Sequence, residues 1–339
     1  MNPDKTLWLR PPPDNQLSIA RVAERPHIPP MDEPMRVFDR HAVRRHRARA
    51  AADLAAHDFL LCDVAERLID RLQDISRTFP LALDLGCHTG EIGRMLGRHG
   101  GIDTLVQCDL SPEMAHRAGE YAVAADEEAL PFAPAAFDLV LSSLSLHWVN
   151  DLPGSLLQIR QTLKPDGLFL AALFGGGTLV ELRNCLMEAE SEIVGGVSPR
   201  VSPFADLRDA AGLLQRAGFT LPVADRDTVT VTYENAFKLF ADLRGMGEGN
   251  AIQERQRRFT RRTILLRAAE LYQSRHAQPD GRIDATFNVI FMHGWAPHPS
   301  QQAPLRPGSA QSRLATALET EEVPAGDKAT PKPTTAKET

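Results

Sequence analysis

The polar and apolar positions along the chain fall into two regimes. In the first, Leu60, Val64, Leu68 and Leu72 recur at every fourth place, with Leu61, Ala65 and Ile69 beside them. That period gathers apolar side chains on one face and predicts an amphipathic helix. In the second, from residue 81 onward, short apolar runs alternate with helical patterns. The runs 81–85, 104–109, 121–125, 137–143 and 168–174 have the length and composition of strands. Helices are expected over 91–98, from Ser111 onward, and over 152–163. Ser111-Pro112-Glu113 supplies an N-cap, a proline at the first helical position and an acid in the first turn. Lys164-Pro165-Asp166-Gly167 reads as a turn. Strands alternating with helices at this spacing predict an α/β fold, a mostly parallel sheet with helices on both faces.

Past residue 174 the pattern loosens. Helices are expected over 178–193 and, introduced by Ser202-Pro203-Phe204, over 206–217, ending at Gly218. Residues 224–233 alternate as a strand does, with Val229, Val231 and Tyr233 on one side. Residues 234–277 are helical again, broken at Gly245-Met246-Gly247-Glu248-Gly249, and 285–295 is a last strand. The expected sheet has seven strands, with a helical insertion before the last one lying over the ligand cleft. Residues 1–34 are rich in proline and are read as a disordered leader. Residues 35–76 form an N-terminal helical segment, 77–297 the main domain, and 298–339 a polar tail expected to be disordered.

Composition narrows the function. The formal net charge is −6, which argues against a nucleic-acid partner. Cys62, Cys87, Cys108 and Cys185 form no C-x-x-C pair, and a reduced, cytoplasmic compartment is the simplest reading. The longest apolar run, 168–174, is too short to span a bilayer. The arginines at 40, 44, 45, 47 and 49 form either a basic surface or a solvated helix face, and the second is taken. The arginines at 255, 257, 258, 261 and 262 have the same two readings, the first being docking to a membrane-associated partner.

The candidate chemistry lies at the ends of the expected strands, where open α/β sheets bind ligands. The stretch Asp84-Leu85-Gly86-Cys87-His88-Thr89-Gly90 is a strand, a glycine loop and a helix start. Asp109 closes the second strand and has two readings, an acceptor for a ribose diol or a capping aspartate. In Asp126-Glu127-Glu128 one acid can accept from an adenine amino group, or the three can simply be solvated. Ser143 ends the fourth strand. His147 beyond it is a general base or a packed imidazole, and Trp148 packs on a ligand or on a helix. There is no G-x-S-x-G elbow, no H-E-x-x-H and no P-loop. No spacing proposes a zinc site or a two-histidine, one-carboxylate iron site.

Taken together, Asp84-x-Gly86-Cys87-x-x-Gly90, Asp109, Asp126-Glu127-Glu128-x-Leu130-Pro131-Phe132, Phe137-Asp138 and Leu163-Lys164-Pro165-x-Gly167 resemble the class I S-adenosylmethionine methyltransferases. Ser142 to Pro153, Phe174-Gly175-Gly176, Thr178-Leu179-x-Glu181-Leu182-Arg183, Ser202-Pro203-Phe204 and Asp242 to Asn250 resemble more narrowly the complex I assembly factor 5 family, described as arginine hydroxylases. The similarity runs from about Val37 to Trp295. It implies a Rossmann-like fold and S-adenosylmethionine held by Asp84, Gly86, Cys87, Gly90, Asp109, Leu110, Asp126, Glu127 and Ser143. His147 and Trp148 are its catalytic candidates, and no metal is implied. The implied partner is a protein substrate, an arginine in a peripheral-arm subunit of the NADH–quinone reductase, with peripheral membrane association through that partner.

One departure stands out. The family loop reads D-L-G-C-G-x-G, and His88 replaces its middle glycine. His88 is expected to point outward and leave the loop undisturbed, since Gly86 and Gly90 remain. Two further readings stand beside the hydroxylase. One is a conventional methyltransferase, such as a carrier-protein carboxyl O-methyltransferase of biotin synthesis. The other is a non-catalytic assembly factor.

Overall fold

The computed structural model describes residues 7–8, 36–302, 314–320 and 326. The first compact unit runs from Met1 to His298. It is built on the strands β1 (Leu81–Leu85), β2 (Thr104–Asp109), β3 (Tyr121–Ala124), β4 (Phe137–Ser143), β5 (Leu163–Phe174), β6 (Thr220–Tyr233) and β7 (Ile283–Trp295). Their order across the sheet is β3-β2-β1-β4-β5-β7-β6. The first five are parallel, and β7 runs antiparallel between β5 and β6. This is the expected sheet.

Two details differ from the reading of the sequence. Leu7–Trp8 pairs antiparallel with β3 and adds an eighth, two-residue strand at that edge. An edge strand presents unpaired N–H and C=O groups, and a short proline-free stretch of the leader meets that demand. The other residues expected to be a disordered leader lie outside the described residues. The turn at Lys164–Gly167 is absorbed into β5 as a break in register between Phe137↔Leu163 and Leu139↔Leu168. Asp166 adopts a left-handed φ of 64° there.

The helices α1 (Arg40–Ala50), α2 (Phe59–Gln73), α3 (Glu91–Met95), α4 (Pro112–Ala118), α5 (Leu152–Thr162), α6 (Val180–Val194) and α7 (Leu207–Arg216) precede β6. The expected insertion between β6 and β7 holds α8 (Ala236–Gly245) and α9 (Arg262–His276). Local signals start these helices where the sequence places them. Asp39 caps α1 by accepting from Ala42 N, and Ser111 caps α4 by accepting from Met114 N.

Alternation along the strands divides the core into two layers. Leu168, Leu170, Ala172 and Phe174 of β5 face α2, α6 and α9. Phe169, Ala171 and Leu173 face α5 and α7. The apolar stripe of α2, from Leu60 to Leu72, is buried against the first layer as its period predicted. Of the second unit, Pro299–Thr339, the described residues include a short helix, Leu314–Ala317, and most of the expected tail lies outside them.

Phe169 is fully buried and stacks on Phe219 with ring centroids 5.5 Å apart. Phe169→Ala leaves a cavity in the second layer. Urea denaturation is expected to show a loss of about 3–5 kcal/mol, the usual cost of truncating a buried phenylalanine.

Candidate functional site

The parallel strands end together at one rim, and the sequence candidates collect there. Gly86 follows β1 with φ 74°. A Cβ at this position would sit 2.1 Å from the Cβ of Ser145, so the close approach of the two loops requires glycine. Gly86 N and Cys87 N both donate to the carbonyl of Cys108, at 2.7 and 2.9 Å, which folds the loop back over β2.

His88 does not point outward. It is 3% exposed, its backbone takes a left-handed φ of 48°, its N–H donates to Asp109 Oδ2 at 3.1 Å, and its Nε2 contacts the Leu144 carbonyl at 3.3 Å. The loop needs a left-handed residue here to aim that N–H at Asp109. The imidazole then lies inside the structure, bridging the β1 and β4 loops.

Asp109 and Glu127 are fully buried. The side chains that neutralise them come from α1. Arg47, 1% exposed, donates through Nη1 to Asp109 Oδ2 at 3.0 Å and Glu127 Oε1 at 3.1 Å. Its Nη2 donates to Ser145 Oγ at 2.8 Å, and that hydroxyl donates to Glu127 Oε1 at 2.6 Å. Arg40 donates to Asp126 Oδ1 at 2.6 Å and forms a short ion pair with Glu127. The reading of α1 as a solvated face is therefore wrong for these two arginines. They are seven residues apart, two turns of helix, on the same face as the buried Val43. That heptad spacing was the available signal, and only the facing carboxylates make it meaningful.

The electrostatics follow from burial and these pairs. Burial pushes the Glu127 carboxyl up, but Arg40 and Arg47 and the Ser145 hydroxyl together bring it down to about 2. Burial pushes Asp109 up, and its share of Arg47 does not fully offset that. A carboxylate offers about four acceptor positions. Asp109 gives three of them to Arg47, His88 N–H and Ser111 N–H. One position remains for a ligand donor, and a second opens if Arg47 withdraws. Asp126, by contrast, is partly exposed, and Glu127 is the buried member of the acidic triplet. Leu110 packs on the cluster of Phe38, Ala42, Val43, Trp148 and Ala251.

Asp84 and Ser143 stand apart. Asp84 is 1% exposed; its Oδ2 accepts only a long 3.4 Å contact from Gln107, and its Oδ1 has no partner. Ser143 Oγ is likewise buried without a partner. Gly90, φ 92°, precedes α3 and packs against Ala118 and Gln107. Such orphaned polar atoms at strand ends are suited to a polar ligand. The arrangement can accept from a diol at Asp109, from an amine at the acidic triplet, and from an amino group at Asp84.

His147 and Trp148 form a 3₁₀ turn, Leu146–Trp148, after β4. Both are buried, and neither meets solvent as a free base would. His147 Nε2 and Trp148 Nε1 each lie 3.0 Å from Glu248 Oε2. His147 also packs on Phe174 at 4.8 Å, and Trp148 meets Phe38 edge to face at 5.4 Å. Glu248, from the glycine break of the insertion, was not a site candidate in the sequence. Behind this pair lies a cavity of about 250 Å³ walled by Phe174, Phe204, Phe240 and Phe287.

A sheet of this order with its acids and glycines at this rim defines a class I methyltransferase fold. A model of the methyltransferase domain matches residues 83–171. The chain is 43% identical over 288 residues to the mitochondrial arginine-hydroxylase NDUFAF5 of Danio rerio, covering 83% of this chain and 89% of that protein. To the Homo sapiens protein of that name it is 44% identical, covering 81% of each. A malonyl-[acyl-carrier protein] O-methyltransferase of Halorhodospira halophila is 35% identical, covering 76% of this chain and 88% of that one. The chain belongs to the NDUFAF5 arginine-hydroxylase family.

The isolation of Asp84 has a measurable consequence. Burial pushes its carboxyl up to about 8, whereas an unfolded aspartate titrates at about 3.9. Between these values the unfolded chain gives up the proton and the folded chain keeps it, so stability carried by this group falls as pH rises. Asp84→Asn is expected to stabilise the cofactor-free protein, more at about pH 8 than at about pH 5. Urea denaturation at the two pH values checks this, and equal gains would contradict the assignment.

Proposed function

We propose that this protein is an enzyme that hydroxylates an arginine of a respiratory NADH–quinone reductase subunit during assembly of that complex. The single observation that carries the reading is the likeness to the NDUFAF5 arginine hydroxylases over four-fifths of the chain. That likeness extends through the insertion, whose Glu248 closes on the rim at His147 and Trp148.

S-adenosylmethionine is the cofactor. The rim suits it. Asp109 would accept from its ribose hydroxyls, Asp126 and Glu127 would be the acids available to its adenine, and Asp84 and Ser143, whose oxygens are unpartnered, would hold its amino-acid end. Gly86, Cys87, Gly90 and Leu110 shape the loop around it. Bound to this fold, the cofactor supplies a sulfonium-activated methyl group in methyltransferases. What this chain's own residues do is hold the cofactor, exclude water and present the second substrate beyond His147. His147 Nε2–H donates to the Glu248 carboxylate, and its Nδ1 is buried without a hydrogen bond.

The partner is a protein, and the specific target in this reading is a peripheral-arm subunit. Among the described residues no helix is long and apolar enough to cross a membrane. Contact with the membrane in this reading is through the partner. The compartment proposed is the cytoplasm, in keeping with the four free thiols, although the animal relatives carry the word mitochondrial in their names.

The second reading, methyl transfer to a carrier-protein carboxyl, is favoured by the likeness to malonyl-[acyl-carrier protein] O-methyltransferases, which is lower in identity. Mass spectrometry of the assembled reductase from wild-type and deletion cells separates the two. The expected result is one oxygen on one arginine of a peripheral-arm subunit, present only with the gene. The same arginine equally modified in both strains would overturn the hydroxylase.

A further inference from the structure

Glu248 sits between Gly247 and Gly249, in the segment between α8 and α9, where both glycines pack against α1. Its side chain is only 6% exposed. Oε2 is committed, accepting from both His147 Nε2 and Trp148 Nε1. Oε1 has no hydrogen bond among the described residues. Burial pushes the carboxyl up, yet the His147 imidazole, its hydrogen bond and the nearby Arg47 outweigh burial and hold it below the usual range. At neutral pH the group is therefore a carboxylate with one oxygen in use and one to spare.

The surroundings define what the spare oxygen suits. Glu248 lines the cavity behind His147 and Trp148, whose walls are apolar: Phe174, Phe204, Phe240, Phe287, Leu182 and Leu243. At about 250 Å³ it falls below the ~300–1,000 Å³ typical of pockets for whole small-molecule ligands, and it is of a size for one long side chain. A carboxylate oxygen that opens only onto apolar walls is poorly solvated, and a cationic donor compensates it best. The matching group is a cation on a slim apolar stem. A planar guanidinium, with several N–H groups and weak hydration, serves a buried carboxylate better than a compact ammonium. The two arginines on the lining do not fill that role. Arg200 is held by Glu190 and Thr260, and Arg244 is exposed.

We propose that Glu248 is the anchor for the substrate's arginine side chain: Oε1 accepts its guanidinium N–H groups while its three methylenes lie among the phenylalanines. The identity of the substrate residue rests on the arginine-hydroxylase reading; the choice of a guanidinium rests on the cavity. The 3₁₀ turn Leu146–Trp148 then stands as a partition, with the cofactor rim on one side and the arginine pocket on the other.

The test uses the full chain and three probes: N-acetyl-L-arginine amide, the corresponding lysine derivative, and the citrulline derivative, which is nearly isosteric with arginine but neutral. Binding is followed by calorimetry and by the indole N–H resonance of Trp148, which is bonded to Glu248. The arginine derivative is expected to bind saturably and to shift that resonance, with citrulline weaker by about tenfold or more, as for a charged hydrogen bond lost. Glu248→Gln is expected to erase the preference for arginine over citrulline. No saturable binding by the native chain, or an unchanged preference in Glu248→Gln, overturns the proposal. So does tighter binding of a malonyl thioester that depends on Arg244 and not on Glu248. Should Glu248→Gln fail to fold, the native protein decides the matter: a Trp148 resonance unmoved by the arginine derivative overturns the proposal. The two readings fail separately. Glu248-dependent arginine binding without any oxygen on the reductase removes the hydroxylase and leaves the pocket. Oxygen transfer by a chain whose Glu248→Gln variant binds arginine normally removes the pocket and leaves the hydroxylase.

Discussion

Two arginines of the first helix meet four acids at and beyond the ends of the strands, and the geometry of the rim depends on that meeting. Asp109 and Glu127 could not stay ionised inside the protein alone, because burying an isolated charge costs several kcal/mol even after relaxation, on the order of the fold's whole stability. Arg47 and Arg40 supply the compensating charge, and Ser145 completes the network. The same Ser145 presses on Gly86, so the glycine loop, the β4 loop and α1 are fixed together. Removing one partner leaves the others buried and unpaired, which is why such networks are lost or kept as a unit.

The network also sets how the site can work. The acids that suit a nucleoside's hydroxyl and amino donors already hold guanidinium groups. A donor arriving at these acids would share them with the guanidinium groups that α1 already supplies. On the far side of the Leu146–Trp148 turn the balance is reversed. Glu248 takes its donors from His147 and Trp148 and keeps an oxygen uncommitted. One short turn of backbone thus separates acids that are paired with guanidinium groups from one that takes its donors from an imidazole and an indole.

Much of the architecture was readable before any coordinate. The apolar runs and the spacing of Leu60 to Leu72 locate the elements, since backbone periodicity acts within a few residues and needs no distant partner. Asp109 was readable too, because the end of a strand in a parallel sheet is a defined place. His88 was misread. An outward side chain is the default for a histidine replacing glycine in a loop, but here the N–H must reach Asp109, and the left-handed backbone that achieves this turns the ring inward. The arginines of α1 were misread for the same kind of reason. A basic helix is usually solvated, and nothing within α1 itself reveals the acids it will face.

What the sequence alone determined, then, is the set of elements, the sheet's composition and the strand ends where acids gather. These follow from local preferences and from the rule that apolar faces must be covered. What only the tertiary structure decided is which charges meet: Arg47 with Asp109 across 62 positions, Arg40 with Glu127 across 87, and His147 with Glu248 across 101. Ion pairs and buried hydrogen bonds leave no periodic trace along the chain. They depend on distances of about 3 Å between segments that only the folded sheet brings together.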